Sequence, residues 1–155
     1  MRAAVVAVLI LAAFPALSTA QLADRKVLTL AAVKQMVNAA EAEAVRNNWN
    51  VSIAVVDEHG SLMAFRRMDG ASYVSVEISQ GKASTAARFR RATKTITDQL
   101  AEGRLALLSL DGVTALQGGL PIIVNGVVIG AVGVSGVTSE QDEMVAAAGI
   151  AALKP

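Results

Sequence analysis

The feature that most constrains the fold is a glycine-punctuated apolar segment over residues 118–136, which reads GGLPIIVNGVVIGAVGVSG. Asn125 and Gly126 separate its two β-branched runs, and both residue types tolerate the positive φ angles of a tight hairpin turn. The second run is apolar almost without alternation, which is typical of a strand that is covered on both faces. The segment therefore predicts a buried β-hairpin in the middle of a sheet.

Three glycines interrupt the second run at intervals of three residues, at Gly130, Gly133 and Gly136. In a strand, a glycine marks a bulge or a place where another backbone or a flat ligand comes close. The spacing fits both local bending of a central strand and the approach of a ligand.

The rest of the chain alternates between helical and strand patterns. The predicted ranges are helix 29–48, strands 51–56 and 62–68, helices 72–91 and 95–103, the hairpin, and a last helix over 139–153. Two apolar pieces over 105–110 and 113–116 are ambiguous, and one of them is a candidate edge strand. Because hairpins dominate the order, we predict an α+β fold with a mainly antiparallel sheet flanked by helices.

The first twenty residues have the layout of a secretory signal. A positive start at Arg2 precedes an apolar run over 3–14, the helix breaker Pro15, and small residues at 18–20. The run is too short to span a bilayer as a helix. We therefore expect a signal peptide over 1–20, a single domain over 21–155, and a periplasmic or secreted protein.

Charge and cysteine content exclude several kinds of function. Lysine and arginine total 14 against 13 acidic residues, a balance that argues against nucleic acid or an anionic membrane as a partner. The chain has no cysteine, which excludes disulfides, thiolate metal sites and cysteine nucleophiles. The domain must be stable through its core alone, and a 54% hydrophobic composition makes that plausible.

A few side chains are candidates for binding. His59 is the only histidine and is a candidate axial ligand of haem iron, although a lone histidine in a polar turn is commonly just solvated. Arg66 and Arg67 are candidates for holding haem propionates or another carboxylate, and a solvated strand face is the alternative.

Lys82 stands alone among small residues of the helix predicted over 72–91. If it is buried, its ammonium needs a partner, for which Asp69 and Glu77 are the nearby candidates. Lys82 is therefore predicted to form a structural ion pair or to bind an acidic small molecule together with Asp69.

The sequence shows no catalytic constellation. G-x-S-x-G and H-E-x-x-H are absent, and the glycine-rich segment lacks the helix that follows a dinucleotide fingerprint. The pattern favours a binding protein over an enzyme.

Four stretches resemble the HbpS/GlcG-like family of haem-binding proteins and their relatives, and the resemblance runs from about residue 28 to 153. They are VVDEHGSLMAFRRMDGA, GKASTAARF, GGLPIIVNGVVIGAVGVSG and SEQDEMVAAAGIAAL. The resemblance implies a roughly five-stranded antiparallel sheet flanked by helices, similar to profilin-like folds, and a homo-oligomer that binds haem. The positions that match the family's motifs include Asp57, Gly60, Asp69, Lys82, Gly118, Gly119, Gly126, Gly130, Gly133, Gly136 and Asp142.

One position departs from the family's pattern. Relatives often carry a histidine just after the glycine of the first hairpin, whereas this chain has Ser61 there and His59 just before Gly60. Three hypotheses follow: an exported, oligomeric protein for haem sequestration or sensing; an enzyme or sensor for a small, glycolate-type carboxylate at Lys82 and the arginines; and an assembly module without a small-molecule ligand.

Overall fold

The computed structural model describes residues 24–154, so the predicted signal peptide lies outside the described part of the chain. Among the described helices, none is long and apolar enough to cross a membrane. The elements, in chain order, are α1 (Leu30–Arg46), β1 (Ser52–Asp57), β2 (Leu62–Arg67), α2 (Ser75–Phe89), α3 (Thr93–Ala101), a 3₁₀ turn (Leu105–Ser109), β3 (Gly119–Val124), β4 (Val127–Ser135) and α4 (Ser139–Ala151).

The predicted hairpin is confirmed, and its second arm lies inside the sheet. The strand order is β2-β1-β4-β3, and each neighbouring pair is antiparallel. Asn125 and Gly126 form the turn between β3 and β4 with φ angles of 52° and 77°. These positive angles match a two-residue hairpin turn, whose twist suits the flanking strands.

The prediction of roughly five strands is wrong, because the sheet of the described chain has four. Residues 105–109 form a 3₁₀ turn, and the segment over 113–116 is not a strand. Helix side chains hold the second segment instead: the N–H of Thr114 donates to Thr85 Oγ1, and the carbonyl of Ala115 accepts from the Thr97 hydroxyl. Backbone groups used in this way no longer pair with a neighbouring strand.

The two faces of the sheet carry different helices. Ile53, Val55, Val132 and Val134 face α1 and α4 in the larger core cluster. On the opposite face, the small side chains of β1 and β4 pack against α2. The buried members of that second cluster are Ala54, Val56, Ala83, Ala86, Ala87 and Ala131. The small-residue composition of α2 therefore reflects close packing on the sheet.

Gly133 sets how closely α2 approaches β4. A Cβ atom built on Gly133 would overlap the carbonyl oxygen of Ser79 and the backbone of Ala83. No side chain at this position can rotate away from such a contact, because the atoms it meets belong to the helix backbone.

Threonine side chains near the starts of α3 and α4 make contacts that the predicted ranges, 95–103 and 139–153, did not include. Thr138, rather than Ser139, is the N-cap of α4, and it forms a reciprocal capping box with Gln141. Helix α3 begins at Thr93 rather than Thr95, and the Thr93 hydroxyl accepts from the N–H of Gly119 at the start of β3. That hydroxyl therefore ties α3 to the sheet.

We predict that Gly133→Ala destabilises the fold by an amount at or above the upper end of the roughly 1–3 kcal/mol typical of overpacking, because α2 must move off β4. Gly103→Ala is the control, since the space around Gly103 is open and only its φ angle of 90° is unfavourable. Its cost should be about 1–2 kcal/mol. Chemical denaturation measures both, and equal losses would contradict the close-packing account.

Candidate functional site

A buried ion pair closes one end of the sheet. Lys82 Nζ lies 2.7 Å from Asp142 Oδ2 and donates to the Val134 carbonyl oxygen at 2.9 Å. Both side chains are only 2% exposed. Because Lys82 belongs to α2 and Asp142 to α4, the pair connects the helices on the two faces of the sheet.

Burial and hydrogen bonding act on the Asp142 carboxyl in opposite directions, and the larger effect of burial leaves its pKa above the ordinary value. Its Oδ1 accepts from the N–H of Val137 at 3.2 Å, and it lies in the first turn of α4, where the helix dipole favours an anion. Burial raises the pKa of the Asp142 carboxyl, while the Lys82 ammonium and the N–H groups of Val137 and Gly136 act in the opposite direction. The carboxylate thus depends on Lys82 to stay charged in this environment.

Gly118 packs directly on this pair. A Cβ atom at Gly118 would lie 2.8 Å from Asp142 Cβ and 2.9 Å from Lys82 Nζ. The chain therefore leaves no room for a ligand beside the ammonium. The predicted partners of Lys82 are wrong: Asp69 and Glu77 are exposed, and Asp142, 60 residues further along the chain, is the partner.

Three further motif glycines, Gly119, Gly130 and Gly136, face the chain's own backbone. Built Cβ atoms would overlap the Lys82 carbonyl oxygen at Gly119, the Val56 carbonyl oxygen at Gly130 and the Asn50 carbonyl oxygen at Gly136. The close approaches predicted from these glycines are therefore made by protein atoms.

The β1–β2 turn presents His59 at the opposite end of the sheet. Asp57 Oδ1 accepts from the N–H groups of His59 and Ser61, both at 2.9 Å, which fixes the turn. The His59 side chain is 69% exposed, and its Nδ1 lies 3.5 Å from Glu58 Oε1. The same Glu58 oxygen accepts from Arg25 at 2.6 Å.

These turn residues are the one group in the described chain whose His and carboxylate atoms are close enough to share a metal ion. One ligand atom each from Asp57, Glu58 and His59 lies within 4.8 Å of the others. Both carboxylates already accept hydrogen bonds, Asp57 from the turn backbone and Glu58 from Arg25. The imidazole is the group best placed for an incoming metal.

The structure does not bring the predicted arginines together. Arg66 contacts Glu41 and Asn38 of α1. Arg67 is on the other face of β2, where its guanidinium carbon lies 4.5 Å from the centre of the Tyr73 ring. Neither reaches Lys82, so these three cations do not form a single anion site.

A cavity of about 460 Å³ lies beside the β3–β4 turn, and the sequence patterns gave no sign of it. Its lining residues are Asp24, Arg25, Lys26, Val124, Asn125, Val127 and Ile129. The volume is within the roughly 300–1,000 Å³ typical of small-molecule sites. Asp57 pairs with Gly130 across β1 and β4, so this turn and the His59 turn project from the same end of the sheet.

The architecture is that of a small α+β domain with an antiparallel sheet between helical layers, sealed at one end and carrying a ligand-sized cavity at the other. Residues 28–151 match the family described as "Haem degrading protein HbpS-like". The chain therefore belongs to the HbpS-like family, which confirms the resemblance seen in its motifs.

Relatives of known sequence and structure agree with this membership. Protein GlcG of Escherichia coli strain K12 is 47% identical over 100 residues, which cover 64% of this chain and 75% of GlcG. HbpS of Streptomyces reticuli, solved as a double mutant, superposes with a TM-score of 0.81 at 32% identity over 93% of this chain and 99% of HbpS. A structure of PduOC with haem gives a TM-score of 0.77 at 31% identity, covering 83% of this chain and 96% of PduOC.

We predict strong coupling between Lys82 and Asp142. Lys82→Met or Asp142→Leu alone should cost about 3–5 kcal/mol, because each leaves one buried charge without its partner, whereas the double variant should lose far less than the sum. Chemical denaturation of the four proteins gives the coupling energy.

The exposed pair of Lys94 and Asp98, 2.7 Å apart, is the matched control. The losses from Lys94→Ala and Asp98→Ala should be nearly additive, because solvent screens an exposed ion pair. Additive losses at Lys82 and Asp142 would show that the buried charges do not depend on one another.

Proposed function

We propose that the protein is an exported, oligomeric haem-binding protein that sequesters or senses haem and ligates its iron through His59. The observation that carries this proposal is the exposed imidazole on the β1–β2 turn, at the end of the sheet that also holds the cavity. The opposite end is filled by the Lys82–Asp142 pair.

The chemistry of His59 fits haem iron. Imidazole is a common axial ligand, and the chain has no other histidine and no cysteine. Glu58 Oε1 lies 3.5 Å from Nδ1, on the side that favours the tautomer with its proton on Nδ1 and the lone pair of Nε2 free to bind a metal. Metal-bound histidines commonly have such a carboxylate behind the ring, where it fixes the orientation and raises the basicity of the ligand.

The relatives support a haem ligand. The family's description refers to haem degradation, and one structural neighbour was solved as a haem complex. The sole histidine of this chain is on the turn where the family often carries one, displaced by two residues across Gly60. His59 and Ser61 both belong to this short turn, so a ligand from either position serves the same end of the sheet.

The hypothesis of a small-carboxylate enzyme or sensor receives less support from the geometry. It relied on Lys82 as the anion-binding group, and Lys82 is enclosed by Asp142, Val134 and Gly118. We accordingly assign the proposed ligand to the turn end of the sheet.

Export and assembly complete the proposal. The pattern of residues 1–20 supports export to the periplasm or beyond. Large apolar side chains on and after the 3₁₀ turn support contacts between subunits, because a solvated segment has little reason to expose several of them. The exposed residues concerned are Leu105, Leu108, Leu110 and Leu116.

We predict that hemin added to the purified protein produces a Soret band distinct from that of free hemin. His59→Ala should weaken binding by roughly tenfold or more, since the imidazole ligand is lost. Absorbance titration measures the affinity, and Ser61→Ala on the same turn is the control that should bind as the wild type does. A His59→Ala spectrum and affinity equal to wild type would remove the ligand from this position.

A further inference from the structure

We infer that the cavity beside the β3–β4 turn holds the porphyrin of the ligand, with its apolar face on Val124, Val127 and Ile129 and its carboxylates toward Lys26 and Lys154. This inference rests on the proposed haem function and deepens it, because it assigns the ligand body to residues separate from the iron ligand.

The floor of the cavity is apolar. Val124 and Val127 flank the turn, and Ile129 follows on β4. Val127 is 57% exposed, whereas β4 is buried from Ile129 to Ser135. An uncovered valine beside two buried aliphatic side chains offers a flat ligand a surface continuous with the core.

The cavity continues toward the end of α4. A second cavity of about 250 Å³ shares Lys26, Val124 and Ile129 with the first and extends to Leu153 and Lys154. The two together form a groove longer than either, which suits an extended apolar ring better than a compact polar metabolite.

The rim of the groove is mostly cationic. Arg25, Lys26 and Lys154 line it, against the single acidic residue Asp24. Apolar ligands that carry carboxylates complement such a rim, since the charged heads of lysine and arginine stay at the surface. Haem, with an apolar macrocycle and two propionates, has this chemistry.

The rim is physically connected to the proposed iron ligand. Arg25 lines the cavity and also donates to Glu58, whose same carboxylate oxygen lies 3.5 Å from His59 Nδ1. Along β4, Val127 precedes Gly130, the partner of Asp57, by three residues, or about 10 Å at the rise of a strand.

The test uses hemin and metal-free protoporphyrin IX, which needs no iron ligand. Val127→Glu places a charge on the apolar floor and should weaken binding of both porphyrins by roughly tenfold or more. Ile123→Glu is the matched control: Ile123 lies on the same hairpin, is 55% exposed and does not line the cavity, and its variant should bind both normally. His59→Ala should weaken hemin binding and leave protoporphyrin IX binding unchanged. Absorbance and porphyrin fluorescence titrations give the affinities.

A second variant tests the carboxylate contacts without disturbing the Arg25–Glu58 pair. Lys26→Gln combined with Lys154→Gln should weaken protoporphyrin IX by about threefold or more, as expected for exposed charge pairs, and leave its dimethyl ester unaffected. Lys34→Gln, an exposed change on α1 outside the groove, is the control. This comparison stands even if Val127→Glu fails to fold.

The outcomes separate this inference from the proposed function. Normal binding of both porphyrins by Val127→Glu and by the double lysine variant would overturn the cavity assignment, while hemin binding that depends on His59 would still support the function. Failure of the wild type to bind hemin would defeat the function, yet protoporphyrin IX binding that depends on Val127 would still support the cavity. Oleate binding that depends on Val127, with neither porphyrin bound, would overturn the assignment to a porphyrin.

Discussion

An ammonium and a carboxylate, both removed from water, join the two helical layers through the end of the sheet. Taking two charges out of water is costly, and the attraction between them offsets that cost only when the geometry is good and the remaining polar atoms are satisfied. Lys82 meets this condition through Asp142 and the Val134 carbonyl, and Asp142 does so through Lys82 and the N–H of Val137. The requirement extends to the surroundings: Gly118 must lack a side chain, and α2 must lie close enough to β4 for the lysine to reach past the sheet. The glycines and small helix residues thus serve the placement of one ion pair as well as the packing of the core.

The end of the sheet that holds the Lys82–Asp142 pair is filled by protein atoms, whereas the opposite end carries the exposed turns and the cavity. Close approach of backbone to backbone at Gly119, Gly133 and Gly136 leaves no volume for a ligand near the pair. At the other end, two turns project beyond the layers, and the hairpin leaves Val127 uncovered. Binding sites are commonly built on exposed turns that a packed core holds in position, because the sequence of a turn can change without loss of the core.

Much of the fold was predictable because its determinants are local. The Asn125–Gly126 turn and the β-branched runs identify the central hairpin, and the apolar spacing after Thr29 identifies α1. The number of strands was not predictable, because the apolar character of residues 105–116 does not indicate which groups accept or donate the hydrogen bonds of their backbone. There the hydroxyls of Thr85 and Thr97, on helices that are distant in sequence, decide the outcome.

The partner of Lys82 was missed for the same reason: Asp69 and Glu77 are near it in sequence, while Asp142 is near it only after α4 has docked. The cavity combines the N-terminal segment with the β3–β4 hairpin, so no single pattern could reveal it.

If His59 ligates haem iron as proposed, the ligand lies on the other side of Gly60 from the family's usual position, and the geometry of the turn explains how both positions can serve. Asp57 accepts from the backbone N–H of both His59 and Ser61, which holds the residues on either side of Gly60 in one compact turn. A Cβ atom at Gly60 would lie 2.7 Å from the Ser84 hydroxyl oxygen, so helix α2 packs directly against this turn. The backbone at positions 59 and 61 is therefore held in place by the turn, whichever of the two carries a histidine. What changes is the direction of the imidazole and the group behind it, which in this chain is Glu58, held in turn by Arg25. Arg25, on the rim of the groove, therefore helps to position the proposed iron ligand. The Glu58 carboxylate connects the two, because it contacts both Arg25 and the imidazole of His59.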